Sequence, residues 1–249
     1  MSELFSIQLQ NRQQQGRDGV WLDLPTTTEQ VQAALRQIGI SSDNPQGLFI
    51  SGYFAEEEKR FAIPYNMVLA SNVDELNFLA SRLETLSTGE RAELNAALQA
   101  PQSELFSIGR ITDFPENVDY YVHLPDVHGP AQLGDYYLNR SGMVDMPEEW
   151  KGGIDTAQFG RYVAQQEQGA FTQYGYLVKS GDEWQKVHEG QPVPEEYRVL
   201  SFPVPEVMRD AANIPPPVQP ETEPQKVIPI ILNGKDSVER MKEITNRLE

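Results

Sequence analysis

The chain has 249 residues with 37 acidic and 20 basic side chains, which give a formal net charge of −17. This charge argues against direct binding of duplex DNA, because phosphates would be repelled, and the absence of cysteine excludes disulfides and thiolate chemistry. No apolar run approaches the roughly 18 residues of a membrane-spanning helix, and the N-terminus lacks a secretory-signal pattern. We therefore expect a cytoplasmic protein whose acidity serves solubility, a basic partner, or competition with nucleic acid for that partner's groove.

Residues 1–66 predict a small α+β lobe. The alternating residues 4–10 indicate a strand, VWLDL indicates its partner, and residues 47–54 indicate a further strand. A helix begins in TTTEQVQAALRQ, where Thr26 and Glu29 have the spacing of a capping box. The apolar residues of this helix share one face, as in a helix that contributes to a core.

Residues 67–102 predict a helical, acidic lobe with two helices between residues 71 and 99. Ser71 or Asn72 caps the first helix, whose leucines recur at helical spacing, and Thr88 caps the second. The outward positions of both helices are acidic, so this lobe presents rows of carboxylates.

Residues 103–202 predict a second α+β lobe. Strands are expected at SELFSIGRI, DYYVHL, GAFTQYGYLV, EWQKVHE and YRVLSF, and helices at QLGDYYLNRSG and IDTAQFGRYVAQQ. The hexapeptide SELFSI occurs twice, at 2–7 and 103–108, which suggests two similar edge strands.

The last part of the chain has a different composition. Residues 203–225 are rich in Pro and Glu and read as an extended linker. Residues 226–249 read as the start of a following module with a short amphipathic helix, and the helical pattern still runs at Glu249, so we expect the natural chain to continue. The predicted fold class is α+β, with three small lobes before the linker.

Candidate chemistry is sparse. The sequence GGIDTAQFG at 152–160 could be a phosphate-binding turn, a catalytic Asp/Arg pair or a contact helix. Asp155 at the helix start would repel an anion, so we favour a helix capped by Asp155 in which Gly160 allows close approach of another segment or subunit. His123 and His128 lie in a Pro-containing loop without helical ligand spacing. We predict no catalytic site, no metal and no cofactor.

Several motifs in order resemble the ArdA-type antirestriction proteins. GIDTAQFGRYVAQQEQGAFTQYGYLV is similar to the C-terminal part of that family, although Tyr162 stands where the family often has Asp. Gly19 and Trp21, the stretch LNFLASRLETL and the segment DYYVHLPDVHGPAQLGDYY are similar to its earlier landmarks, and the resemblance spans roughly residues 4–180. ERMKEITNRLE near the C-terminus resembles the opening helix of ArdC-type antirestriction proteins, whose N-terminal domain binds single-stranded DNA.

The ArdA resemblance implies an elongated, acidic homodimer without catalysis or cofactor. Such a protein mimics bent B-form DNA, occupies the DNA-binding groove of type I restriction-modification enzymes and so protects incoming mobile DNA. Residues 43–135 hold 15 acidic and 5 basic side chains, so we look for the phosphate-like carboxylates there. They are Asp74, Glu75, Glu84, Glu90, Glu93, Asp113, Glu116, Asp119 and Asp126.

The helix after residue 154 supplies the expected dimer contact, through Asp155, Phe159, Gly160 and Arg161. One alternative is an acidic, non-catalytic adaptor of a mobile-element fusion protein, without DNA mimicry. A hydrolase that uses Asp and Glu ranks lower, because no constellation of catalytic residues appears in the sequence.

Overall fold

The computed structural model describes residues 4–14, 18–41, 46–56, 60–101 and 103–200. The predicted linker at 203–225 and the following module at 226–249, with its ArdC-like helix, lie outside these residues. Contacts group residues 1–202 as one compact unit. In the described part, no helix combines the length and apolar character needed to cross a membrane.

Strands β1 (Phe5–Asn11), β2 (Val20–Leu24) and β3 (Leu48–Phe54) form an antiparallel sheet in the order β2-β1-β3. Side chains alternate along β1, so that Phe5, Ile7 and Leu9 are buried and the residues between them face outward. These strands confirm the predictions for the first lobe. The central strand carries the core contacts, because it pairs with a neighbour on each side.

The cap of helix α1 (Thr28–Gln37) lies one residue later than predicted. Thr27 is the N-cap and forms a capping box with Gln30, so the predicted pair Thr26 and Glu29 was wrong. The physical reason is that Thr26 is buried and its backbone N–H donates to Oδ1 of Asn77 at 2.7 Å. That tertiary hydrogen bond takes the residue out of the capping position.

Helices α2 (Tyr65–Leu69), α3 (Val73–Glu84) and α4 (Thr88–Gln99) follow. Asn72 caps α3 with Glu75 in a capping box, which confirms one of the two predicted caps. The cap of α4 is Ser87, whose hydroxyl accepts from the Glu90 N–H, and the predicted cap Thr88 is already helical. Both helices therefore begin with the same reciprocal hydrogen bonds between the cap and the third helical residue.

The predicted strand at 103–111 is wrong. Ser107 caps helix α5 (Ile108–Thr112), and two 3₁₀ turns follow at Phe114–Glu116 and Val118–Tyr120. The second copy of SELFSI thus leads into a helix although the first copy leads into β1. The Ser107 hydroxyl accepts from the Arg110 N–H at 3.2 Å, and the residues after the hexapeptide continue that helical turn.

Strands β4 (Tyr121–Leu124), β5 (Ala170–Thr172) and β6 (Gly175–Lys179) form a second antiparallel sheet in the order β4-β6-β5. The strands predicted at 183–189 and 197–202 are wrong over their described residues: this segment carries a 3₁₀ turn at Glu195–Tyr197 and no ladder. Side chains of Asp74, Asp113 and Asn117 accept its backbone N–H groups instead.

Three helices complete the described chain. They are α6 (Pro130–Asp135), which continues into a π-helical turn at Tyr136–Arg140, α7 (Glu148–Lys151) and α8 (Thr156–Glu167). The predicted helices at 132–142 and 154–166 are confirmed, and Asp155 caps α8 as expected.

The buried side chains form a large cluster and a small one. The large cluster runs from Leu4 to Val199 and draws residues from all three predicted lobes. The small cluster consists of Val127, Leu133, Ala164 and Tyr176 around α6 and α8. The α+β class is confirmed, while the lobe boundaries at residues 66 and 102 stay a prediction.

Candidate interaction surface

Two of the predicted phosphate-like carboxylates are held by the helix caps. Oε2 of Glu75 accepts from the Asn72 N–H at 3.2 Å, and Oε2 of Glu90 accepts from the Ser87 N–H at 2.7 Å. The hydrogen bonds with Ser87 lower the pKa of Glu90 below its usual value. Both side chains remain partly exposed. The caps therefore hold these two side chains in fixed positions at the N-termini of α3 and α4.

Glu93 lies one turn after Glu90 on α4 and belongs to a group of three carboxylates. Its Oε1 is buried and has no hydrogen-bond partner. Burial, followed by repulsion from Glu90 and Asp119, raises the pKa of Glu93 to about 8. The structure thus brings three predicted residues together, from α4 and from the 3₁₀ turn before β4. A cation that approaches this group would favour the charged form of Glu93.

Three other predicted carboxylates bind the chain itself. Asp113 is completely buried, and its two oxygens accept from the N–H groups of His188 at 2.6 Å and Glu189 at 3.2 Å. Oδ1 of Asp74 accepts from two N–H groups at residues 199 and 200. Glu116 forms an ion pair with Arg82 of α3. Asp113 therefore has no surface to offer a partner, and the other two have structural roles.

The remaining members of the predicted set lie closer to solvent. Asp119 and Asp126 are exposed on either side of β4, and Glu84 is partly exposed at the end of α3. The nine carboxylates therefore differ in kind: some are exposed, some are anchored by caps, and one is buried. The sequence alone could not distinguish these groups, because the residue type does not show whether a carboxylate is buried or exposed.

Helix α8 packs closely on α6 through glycines. A Cβ added at Gly160 would overlap the carbonyl oxygen of Pro130, and one added at Gly134 would overlap the carbonyl oxygen of Thr156. Oδ1 of Asp155 accepts from the Gln158 N–H at 2.9 Å, as a cap does. Of the four predicted dimer residues, Gly160 contacts its own chain, Phe159 is half-buried, and Asp155 and Arg161 are exposed.

The chain matches the family model of the antirestriction protein ArdA over residues 15–178. It belongs to the ArdA antirestriction family. The matched range begins between β1 and β2 and ends within β6, so it includes the helical carboxylates and α8. The search of curated proteins found no match. The ArdA resemblance is thereby confirmed, whereas the ArdC resemblance lies outside the matched range and stays a prediction.

One buried polar group of this ArdA-family protein was missed by the sequence analysis. The hydroxyls of Tyr137 and Tyr176 both donate to Glu167 at the end of α8. Burial and the bonds to this carboxylate raise the pKa of both tyrosines. The partners are far apart in sequence and follow no periodic pattern, so nothing in the sequence indicated this site.

The residues that could take part in metal chemistry are held apart. Nε2 of His123 on β4 lies 2.7 Å from the Tyr174 carbonyl oxygen, and His188 packs edge-on against Phe78. Among the residues that the structure describes, no group of three or more His, Asp or Glu side chains is placed to hold a metal ion. A groove of about 430 Å³ beside β6 includes Glu167, which the two tyrosines already engage.

Proposed function

We propose that this protein inhibits type I restriction-modification enzymes by mimicking B-form DNA in their DNA-binding groove. Membership of the ArdA antirestriction family, over residues 15–178, carries this proposal. The protein would act in the cytoplasm as a homodimer without catalysis, and it would protect incoming mobile DNA. Its affinity would come from carboxylates that take the place of phosphates.

The distribution of charge supports the mimicry. Residues 43–135 hold 15 acidic and 5 basic side chains, more than half of the net charge of the chain. Helical carboxylates three or four residues apart are about 5–6 Å apart, which is close to the phosphate spacing along one DNA strand. Glu90 and Glu93 have this spacing, and Asp119 lies near enough to Glu93 to repel it.

The fixed positions of some carboxylates also support the proposed DNA mimicry. A side chain that is already fixed loses less conformational entropy on binding than a free one. The capping boxes fix Glu75 and Glu90 in this way. Because Asp113 is buried and Asp74 and Glu116 bind the chain itself, the phosphate-like set that we propose is narrower than the sequence alone indicated. Its members are Glu75, Glu84, Glu90, Glu93, Asp119 and Asp126.

The homodimer is proposed to use the side of α8 that does not pack on α6. Arg161 and Tyr162 are exposed there, and Asp155 lies exposed at the helix start. Basic and acidic groups on one helix could pair across a two-fold axis, where the same surface meets itself. Gly160 has no part in this contact, because α6 covers it.

A competition assay tests the proposed function. The purified protein competes with a DNA duplex for a type I enzyme at about 50 mM and about 200 mM salt, a range over which phosphate-like contacts lose affinity steeply. A triple variant with Glu90→Gln, Asp119→Asn and Asp126→Asn removes three proposed contacts. The matched control, with Glu149→Gln, Glu183→Gln and Glu195→Gln, removes the same charge from other exposed positions.

We expect the first variant to bind more weakly and with a shallower salt dependence, and the control to behave as the unmodified protein. Equal effects of both triple variants would show that net charge alone matters, as in the adaptor alternative. Absence of inhibition of any type I enzyme would remove the proposed function.

A further inference from the structure

The outer face of the first sheet carries aromatic side chains that the core does not use. The outward residues of β1 are Ser6, Gln8 and Gln10, so the centre of this face is polar and uncharged. Beside them, Trp21 on β2 is 49% exposed and Phe54 on β3 is 58% exposed. Large apolar groups at such positions indicate a contact surface, since alternation normally places polar residues there.

Trp21 and Phe54 form one unit across the sheet. Trp21 is opposite Gln8, and Gln8 is opposite Gly52 of β3. A Cβ at Gly52 would lie 3.0 Å from the indole Cη2, so the missing side chain gives the indole room to reach across β1. There it meets Phe54 edge-on, with ring centroids 6.4 Å apart. The pair therefore forms an extended aromatic surface with a fixed geometry.

A carboxylate stands beside this pair. Asp23 lies two residues after Trp21 on the same face of β2, and it is opposite Ser6, which is in turn opposite Phe54. The Ser6 hydroxyl donates to Oδ1 of Asp23 at 2.6 Å and holds the exposed carboxylate on this face. Aromatic faces together with a fixed carboxylate suit a planar cation.

We propose that Trp21, Phe54 and Asp23 form a docking site for an arginine side chain of the basic partner protein. The guanidinium would stack on the aromatic pair and donate to Asp23. This inference rests on the proposed function for the existence of a basic partner. It adds to that function an aromatic anchor on the first sheet, apart from the helical carboxylates.

The same chemistry already occurs within the chain. On the same face of the sheet, the guanidinium of Arg12 lies 5.2 Å from the centroid of Phe49, which pairs with Gln10. The guanidinium of Arg110 lies 4.5 Å from the centroid of Phe106. These contacts show that an arginine fits on aromatic side chains in this fold.

Charge favours an arginine-bearing partner over a second copy of this chain. Each copy carries a net charge of −17. A two-fold contact through this face would bring Asp23 of each copy toward the other, because such contacts use the same patch twice. A cationic partner would instead be attracted, because its positive charge complements both Asp23 and the negative net charge of the chain.

The test compares Trp21→Ala with Trp150→Ala, which removes another exposed tryptophan from α7. Binding to a type I enzyme is measured by competition at two salt concentrations. We expect Trp21→Ala to weaken binding about tenfold at both concentrations, as expected for a partly desolvated cation–π contact. Trp150→Ala should leave binding unchanged. Asp23→Asn should weaken binding mainly at low salt, because its contribution is screened.

Thermal unfolding checks that each variant retains its fold, and sedimentation checks its oligomeric state. Unchanged binding by Trp21→Ala overturns the proposal. Conversion of Trp21→Ala to a smaller oligomer also overturns it, because this face would then join two copies of the chain.

A direct titration separates this proposal from the proposed function. If the unmodified protein inhibits no type I enzyme, the site is tested with a short oligoarginine peptide and, as a comparison, an oligolysine peptide. We expect the indole N–H resonance of Trp21 to shift with oligoarginine, more than with oligolysine and more than that of Trp150. A Trp21 resonance that does not respond rules out the arginine site.

Discussion

The two buried clusters of this ArdA-family protein are built in different ways. The large cluster joins β1, α1, α3 and α4 through leucine, isoleucine and valine at regular spacing. The small cluster has four buried residues and depends on backbone contact between α6 and α8 at Gly134 and Gly160. Burial of apolar area dominates the first, whereas close approach and hydrogen bonds dominate the second. Single substitutions should therefore affect the two clusters to different degrees.

The largest effect is expected at the contact between α6 and α8. In Gly160→Ala the new methyl group overlaps backbone atoms of Pro130 and Gly134. Backbone atoms cannot relieve the overlap by changing rotamer, as a side chain could. We expect a loss of about 3 kcal/mol in the free energy of unfolding, at the upper end for overpacking. Chemical denaturation measures it. Gly152→Ala is the control, since nothing lies near that position; equal stabilities of the two variants would contradict the glycine packing.

Asp113 gives the next largest effect and tests the large cluster. Asp113→Ala leaves the part-buried N–H groups of His188 and Glu189 without their acceptors. We expect a loss of about 2 kcal/mol, typical of unsatisfied buried groups. Asp126→Ala, at an exposed position, should change stability by less than about 0.5 kcal/mol. Denaturation of both variants checks this, and equal losses would be inconsistent with the burial of Asp113.

Glu167 tests the small cluster through its hydrogen bonds. Glu167→Ala removes the acceptor of the Tyr137 and Tyr176 hydroxyls, and we expect a loss of about 1.5 kcal/mol. Tyr176→Phe in the Glu167→Ala background should then cost little more, because that hydroxyl has no acceptor left. A double-mutant cycle by denaturation measures this coupling. Additive losses would mean that the tyrosine and the carboxylate act independently.

Glu93 gives the smallest effect, and this effect depends on pH. The folded pKa of about 8 lies above the ordinary value of 4.5, so the contribution of Glu93 to stability is present below pH 4.5 and is lost as pH rises to 8. Glu93→Gln should match the wild type near pH 4.5 and be more stable above pH 8. After allowance for solvent screening of this partly exposed group, we expect about 1 kcal/mol. Unfolding curves at both pH values measure it, and a constant difference would exclude titration of Glu93.

The elements that could be predicted best from the sequence are those in which apolar periodicity decides the structure. The strands of the first sheet and helices α3, α4 and α8 follow from such patterns. The cap of α1 was shifted by one residue because a tertiary contact competed, in which Asn77 accepts from the N–H of Thr26. The second SELFSI shows the same limit, because the identical residues precede a helix at Ser107. The same six residues therefore do not decide between a strand and a helix start. The tertiary surroundings of each copy decide it.

The predicted site was less complete than the predicted fold. The acidic residues of the sequence directed the predicted site to α3 and α4, and this part stays a prediction. The sequence did not show that Asp113 is buried and Asp126 exposed, because burial arises from the packing of distant segments. The sequence predicted that Gly160 allows another segment to approach closely. Only the structure identifies that segment as α6. Trp21 was recognised as one of the residues that resemble the ArdA family. Its position beside Phe54 depends on the strand register, which the structure shows.

The segment from residue 183 to 200 has no strand partner, and aspartate side chains supply acceptors that a ladder would otherwise provide. Asp113 and Asp74 each serve two consecutive backbone N–H groups. We therefore expect two carboxylates to control hydrogen–deuterium exchange at these four amides. Replacing either aspartate by alanine would raise exchange in its own pair, at residues 188 and 189 for Asp113 and at residues 199 and 200 for Asp74. Loss of one carboxylate would thus expose one part of this segment to exchange and leave the other part protected.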